Sequence, residues 1–369
     1  MKGSYLLFLL VLLAPWAGLS QTVEKVDSIA GKKGKVIAAP ILGYSPESRF
    51  FGGFMGMWIL PKKGVDTSSF NRPSTLAPIF IYTANKQVIS SLRSEQYFKN
   101  ATYLSNTLRV RNYPDFFFGI GNDTHPDDLE MFLDQFGQLN GRWMKIRDEK
   151  YFFGLSYDFR YDKLSDFKDG AVLDAGEVSG TGGGWTNGLG PIFIYDTRDN
   201  VLYPSKGWYV TSNLHYFSKV VGSNYSFAQL NLDSRYFREV ISPKHVLGLQ
   251  LVINSVAGNN IPFYRLPQLG GNDRLRGIKN ENLYRDKVSW YFQVEGRRTL
   301  FWRLGGVLFA GVGNVSSDIA SAFQTPVKAV VGAGGRFRPI KDQKLNLRLD
   351  FGVATDGFYA VYLNVAEAF

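Results

Sequence analysis

Near its end the chain alternates apolar and polar residues with a period of two. From Leu345 to Val353 every odd position is apolar (Leu345, Leu347, Leu349, Phe351, Val353), while Asn346, Arg348, Asp350 and Gly352 fill the even ones. A β-strand sends successive side chains to opposite faces, so this pattern predicts one apolar and one polar face. The last stretch repeats it, with Tyr359, Val361, Leu363, Val365 and Phe369 on one face and Glu367 interrupting that face near its end. Such a charge is tolerated where it sits at a membrane interface. Upstream, Val288, Trp290, Phe292 and Val294 alternate with Ser289, Tyr291, Gln293 and Glu295. Similar alternation runs through Leu304–Gly313, Leu247–Asn254 and Trp208–Tyr216. Too many long strands show this face for one sandwich core to bury it.

After Gln21 no apolar run approaches the ~20 residues that a bilayer helix needs. A chain that crosses a membrane without such helices must do so as a closed barrel, because only then is every backbone group paired in lipid. Counting from Lys35 to Phe369 gives about sixteen strands, an even number as in single-chain bacterial barrels. The expected fold is therefore all-β, a transmembrane antiparallel barrel. Residues 1–20 read as a secretory signal peptide: Lys2 precedes the apolar run Tyr5–Ala14, and Gly18 and Ser20 supply small residues for cleavage near Ser20. Residues 21–35 are polar and too short for a core, a flexible periplasmic lead-in. Residues 36–369 form the barrel, placed in the bacterial outer membrane.

The chain has no Cys, which excludes disulfides and thiolate metal sites. Its 29 Phe, 20 Tyr and 7 Trp suit a barrel with aromatic girdles. The net charge of +10 favours anionic partners, but the basic residues are scattered without a run of five, so lipid headgroups or a polar lumen fit and nucleic acid does not. Enzymatic chemistry finds little support. The three His (His125, His215, His245) are too far apart for a zinc motif, and no G-x-S-x-G elbow occurs. No catalytic residue, metal or cofactor is expected. The aromatic cluster Tyr113–Asn122 reads as a rim seated at the membrane interface.

One connection is unusually long, from about Gly258 to Asp286, and carries Gly270, Gly271, Arg276 and Gly277. Loops of this length are usually functional or disordered, and the glycines favour a folded-back course.

Four stretches together resemble the Omp85 superfamily, the surface-antigen (D15-like) barrels of the BamA/TamA type. The first is Asp196-Thr197-Arg198-Asp199-Asn200 with Pro204 and Gly207; the second is the loop Gly270-Gly271…Leu275-Arg276-Gly277-Ile278. The third is Val331–Pro339 running into Leu347–Gly352, and the fourth is the terminal Phe369, similar to the signal by which such barrels are recognised for assembly. Pro40–Glu47 also looks like the first strand of short, barrel-only members. The resemblance implies sixteen strands with the loop folded into the lumen. It implies that Glu295, on the next strand, is the acidic partner of Arg276. The second acidic residue of the family is expected on the following strand, where Gly311-Val312-Gly313 has none. One strong pair rather than two is therefore expected, with Asp273 as a possible substitute. The POTRA region that receives clients in larger members is missing, so partner proteins are implied.

The expected role is assembly, insertion or translocation of outer-membrane proteins or lipids, working with periplasmic or outer-membrane partners and a client polypeptide or lipid. The alternatives are a passive channel or ligand receptor, and a barrel-embedded hydrolase.

Overall fold

The computed structural model describes residues 34–45, 49–60, 74–98, 100–201, 203–278, 280–339 and 346–369; the expected signal peptide and most of the lead-in lie outside the described residues. Sixteen strands form one antiparallel meander, each bonded to its neighbours in the chain. They are β1 (Lys35–Ser45), β2 (Arg49–Ile59), β3 (Thr75–Thr83), β4 (Val88–Phe98), β5 (Thr102–Phe117), β6 (Glu130–Arg147), β7 (Tyr151–Ser165), β8 (Gly184–Asp196), β9 (Gly207–Phe217), β10 (Phe227–Glu239) and β11 (His245–Ala257). After a long connection follow β14 (Val288–Thr299), β15 (Leu304–Ser316), β16 (Lys328–Phe337), β17 (Leu347–Ala354) and β18 (Tyr359–Val365). The connection itself holds a short hairpin, β12 (Gln268–Leu269) with β13 (Tyr284–Arg285). Among the described residues no ladder joins β1 to β18, so these two strands are the ends of the sheet.

Alternation decides the faces. On β17, Arg348, Asp350, Gly352 and Ala354 point inward and are buried, while Leu349 and Phe351 point outward, 54% and 48% exposed. Leu155, Trp208, Tyr216 and Phe292 are likewise exposed on the outer face. An apolar exterior this extensive suits hydrocarbon rather than water.

The interior is filled from both ends. From the side of the longer connections, residues 258–278 and 280–287 enter the barrel, and Leu269, Leu275, Ile278 and Leu283 pack with Val252, Tyr291, Val315 and Val330 of the wall. A second cluster joins Phe263 and Leu266 of this loop to Phe117, Phe132, Phe217 and Phe227. The loop thus touches the wall from β5 round to β17, which requires the sheet to curl about it. The aromatic cluster Tyr113–Asn122 accordingly differs from a rim: Tyr113–Phe117 complete β5, and Phe117 is buried edge-on to Phe263, ring centroids 5.2 Å apart.

The opposite end is filled by the last residues of the chain, and here the alternation misleads. The strand stops at Val365, Ala366 takes a left-handed φ of 70°, and Phe369 turns inside to pack on Phe237, ring centroids 6.0 Å apart. Phe369 is therefore buried instead of joining the outward row of Tyr359, Val361 and Leu363. Glu367 is inside as well, its side chain 2% exposed and paired with Arg336, rather than at a membrane interface.

Candidate functional site

Loop and tail meet in a chain of buried charges. Arg276 is fully buried, and its position depends on backbone approach as much as on charge. Gly277 adopts φ +146°, a conformation that L side chains rarely reach, with its backbone against Val353. Opposite it, Gly352 leaves room for the Arg276 carbonyl; a Cβ there would lie 2.0 Å from that oxygen. Gly270 and Gly271 turn the chain at the end of β12, with φ +94° and +114°.

The Arg276 guanidinium donates through Nη2 to Glu295 and through Nη1 to Asp350 Oδ2 at 2.6 Å, and it lies 3.7 Å from the centre of the Phe309 ring. There are thus two carboxylates, and the expectation of a single pair is corrected. Gly311 has no carboxylate because its site receives Leu275 of the loop; a Cβ there would meet Leu275 Cδ2 at 2.6 Å. The second acid comes instead from β17, in Asp350-Phe351-Gly352, where the acid and the glycine that admits the loop backbone stand two residues apart on one face. Asp273 has another partner, Arg348, which also donates to the Asn272 carbonyl at 3.1 Å.

Both carboxylates hand on to further arginines. Glu295 Oε1 accepts from Arg297 Nε at 2.7 Å, and Arg297 Nη2 donates to the backbone oxygen of Phe369 at 2.7 Å. Asp350 Oδ1 accepts from Arg336 Nη1 at 2.5 Å, and Arg336 Nε donates to Glu367 Oε2 at 2.7 Å. Glu367 Oε1 also accepts from Asn346 at 2.7 Å. Arg276, Arg297 and Arg336 thus balance Glu295, Asp350 and Glu367. Balance matters because an isolated buried charge is far costlier than a paired one. Tyr362 on β18 completes the contact: its hydroxyl donates to the Ile278 carbonyl at 3.0 Å and accepts from the Gly277 amide at 3.3 Å.

The turn 197–206 is tied to itself and then to this network. Arg198 forks onto Asp196 at 2.9 and 3.0 Å, Asp199 accepts from the Ser205 amide and hydroxyl, each at 2.8 Å, and Asn200 accepts from the Tyr203 amide at 2.9 Å. Gly207 leaves room beside the Thr197 carbonyl, and the Pro204 carbonyl accepts from Arg297 Nη1 at 3.4 Å. The structure thus brings together all four stretches singled out in the sequence. It also adds Asp350, Arg297, Arg336, Glu367 and Tyr362. Of these, Asp350 stood in the polar row of an evident strand, but nothing local marked it as the partner of a residue 74 positions away.

The arrangement is suited to holding backbone. His215 lies inward beside Asn213, but the inward Ser156 hydroxyl donates to Asn213 at 2.6 Å rather than to the imidazole. Among the described residues no cluster of His, Asp and Glu could hold a metal. Between loop and tail a polar cavity of about 450 Å³ remains, bordered by Asp233, Arg235, Gln250, Arg274 and Ala368.

Comparison with known proteins agrees with this geometry. No curated protein matches the chain. Among solved structures, a BamA from Haemophilus ducreyi lacking POTRA domains 1-3 is similar over 91% of this chain and 70% of that one, with a TM-score of 0.60 at 13% identity. CdiB from Acinetobacter baumannii is similar over 91% of this chain and 60% of its own length, with a TM-score of 0.54 at 11% identity. At these identities the likeness concerns the fold. A family model described as the Omp85 superfamily domain matches residues 137–356, more than half of the sequence. The chain belongs to the Omp85 superfamily.

Proposed function

We propose that this barrel sits in the bacterial outer membrane and works, with periplasmic or outer-membrane partner proteins, in the assembly, insertion or translocation of proteins or lipids there. Membership in a transport and assembly family supports the class. The observation that carries the reading is the inequality of the two sheet ends. β18 is held from inside by Tyr362 and, through β17, by Asp350 on Arg276, whereas no ladder joins it to β1 among the described residues. The edge of a sheet offers unpaired amides and carbonyls to another strand. A fixed edge beside a separable one is a template that a client strand can join, and Phe369 turned inward leaves that edge unobstructed. The Arg276 clamp then keeps β17 and β18 in place while the other side gives way.

The test is photo-crosslinking in cells from Leu363 on β18, with Leu214 on the far wall as reference. Capture of unfolded barrel precursors from Leu363 alone supports the proposal. Equal capture at both sites, or depletion that leaves outer-membrane protein and lipid levels unchanged, contradicts it. A passive channel is separated by single-channel recording: a lumen filled by loop and tail predicts small, flickering currents, and large steady ones would favour the channel.

A further inference from the structure

The first strands differ from the rest of the wall in what faces inward and in what covers it. From β5 onward most inward rows carry polar or charged residues, and on β15, where Val307, Phe309 and Val315 face inward, the loop covers the row with Leu275 and Arg276. One polar row is Arg109, Gln138 and Arg160. Following the same row back through Ser91 leads to Ile79 and Met55, so these two point inward. Their inward neighbours are apolar too: Met57 and Ile59 on β2, Ala77 and Ile81 on β3, and Ile41 on β1. The outward row of the same strands carries Phe54, Trp58, Phe80 and Tyr82, with the Phe54 and Phe80 rings stacked at 5.9 Å. β1 to β3 therefore form a panel apolar on both faces.

Its inner face is not covered by the loop that seals the opposite wall. Met55 and Met57 are 45% and 43% exposed, Ile59, Ala77, Ile79 and Ile81 are half-buried and Ile41 is buried, and none of them belongs to the apolar clusters built on the loop. Hydrocarbon left against water is unfavourable in proportion to its area. A row of this kind is an interaction surface before it is a lumen lining. Two methionines add unbranched, adaptable side chains of the sort found on surfaces that accept varied apolar shapes.

We infer that the inner face of β1–β3 takes the acyl chains of phospholipid from the surrounding bilayer. The occupant follows from continuity. The outer face of the same strands is already in the apolar belt, and the panel ends at β1, the sheet end with no ladder to β18 among the described residues. Hydrocarbon that passes round that edge meets apolar surface along the middle of these strands, whereas an extended peptide would find, from Phe51 to Ile59 on β2 and along β3, only Thr75 and Thr83 as inward polar groups to hold its backbone. The inference rests on the membrane placement proposed above and names lipid as the material that reaches the lumen.

Because the chain has no Cys, single reporter thiols are simple to place. Bimane is attached at Met57→Cys (inner panel), Phe54→Cys (outer belt) and Thr211→Cys (polar inner wall of β9). Each protein is reconstituted in vesicles of phosphatidylethanolamine and phosphatidylglycerol, with or without a phosphatidylcholine bearing a nitroxide on its acyl chain. The inference predicts that the nitroxide lipid removes most emission at Met57→Cys and at Phe54→Cys, and that Thr211→Cys responds to aqueous iodide instead. Iodide quenching at Met57→Cys would show water there and overturn the inference. Resistance of Met57→Cys to both quenchers would show that protein covers the panel, and would overturn it equally. Loss of lipid quenching at Phe54→Cys would instead defeat the membrane placement, so the two failures are distinguishable. Ile79→Asp, beside Met57 on the inner panel, should reduce lipid quenching at Met57→Cys and leave that at Phe54→Cys unchanged.

Discussion

The two ends of the sheet are built on opposite plans. β14 to β18 carry Glu295, Arg297, Arg336 and Asp350 inward, each bonded to loop, tail or one another, and wall glycines let the loop backbone lie directly against the strands. β1 to β3 carry Met55, Met57, Ile79 and Ile81 inward, with no such partner among the described residues. The outer faces differ little, since both are apolar. The contrast teaches that stability here is concentrated on one side: charge pairs shielded from water hold one flank, and the other relies on backbone ladders and its apolar surroundings. Local opening follows such differences in contact density and buried bonding.

Substitutions sharpen or break that contrast. The largest effect should come from Arg276→Ala, which leaves Glu295 and Asp350 close together and short of a cation. Removing one partner of a buried ionic group costs about 3–5 kcal/mol. The folded, heat-modifiable form should therefore melt well below that of the parent on gels, whereas Met57→Ala should melt close to it. Equal melting of Arg276→Ala and the parent would mean that the clamp does not stabilise the barrel. Next in size is Phe369→Ala, which removes the ring packed on Phe237; large-to-small changes at buried aromatics cost about 3 kcal/mol. Limited proteolysis should then cut the tail 366–369, and an uncut tail would show that Arg297 alone retains it.

Gly311→Ala tests the loop seat from the wall side. Its methyl meets Leu275, and overpacking of this kind costs about 1–3 kcal/mol. Gly311→Asp should be worse still, because the acid would displace Leu275 instead of supplying a further ligand to Arg276. A stabilised Gly311→Asp would refute that account. The smallest effect belongs to Arg274→Ala. Its bond to Glu281, at 3.1 Å, is part-exposed, and pairs of this type contribute at most about 1 kcal/mol. A large loss there would indicate that the outer part of the loop, and not Arg276, carries the load.

The strands were legible because membrane walls enforce a period of two, and the course of β17 and β14 follows directly from it. The Arg276–Glu295 pair followed from resemblance, since a residue on a loop and one on a wall share no local pattern. Asp350 stood in plain view in the polar row of Leu345–Val353, yet its pairing depends on which strand lies under the loop. Phe369 misled because it shares parity with Tyr359, Val361 and Leu363; a single left-handed residue, Ala366, ends the strand and turns the tail inward. Glu367, at odds with its row, was the local sign of that turn. The two-faced apolar panel was also present in the residues, as Phe54-Met55-Gly56-Met57-Trp58-Ile59 has no polar member, but its meaning needed the inward row to be traced across the neighbouring strands.

Loop and tail brace β14 to β18 from inside, while β1 to β3 lack that brace among the described residues. Hydrogen–deuterium exchange on the folded barrel in lipid vesicles tests it most directly, strand by strand, for the parent and for Arg276→Ala. The account predicts slow exchange in β17 and β18 and faster exchange in β1, with Arg276→Ala raising exchange in β17 and β18 and leaving β1 as it was. Equal protection of β1 and β18 in the parent, or protection of β18 that survives Arg276→Ala, would contradict it.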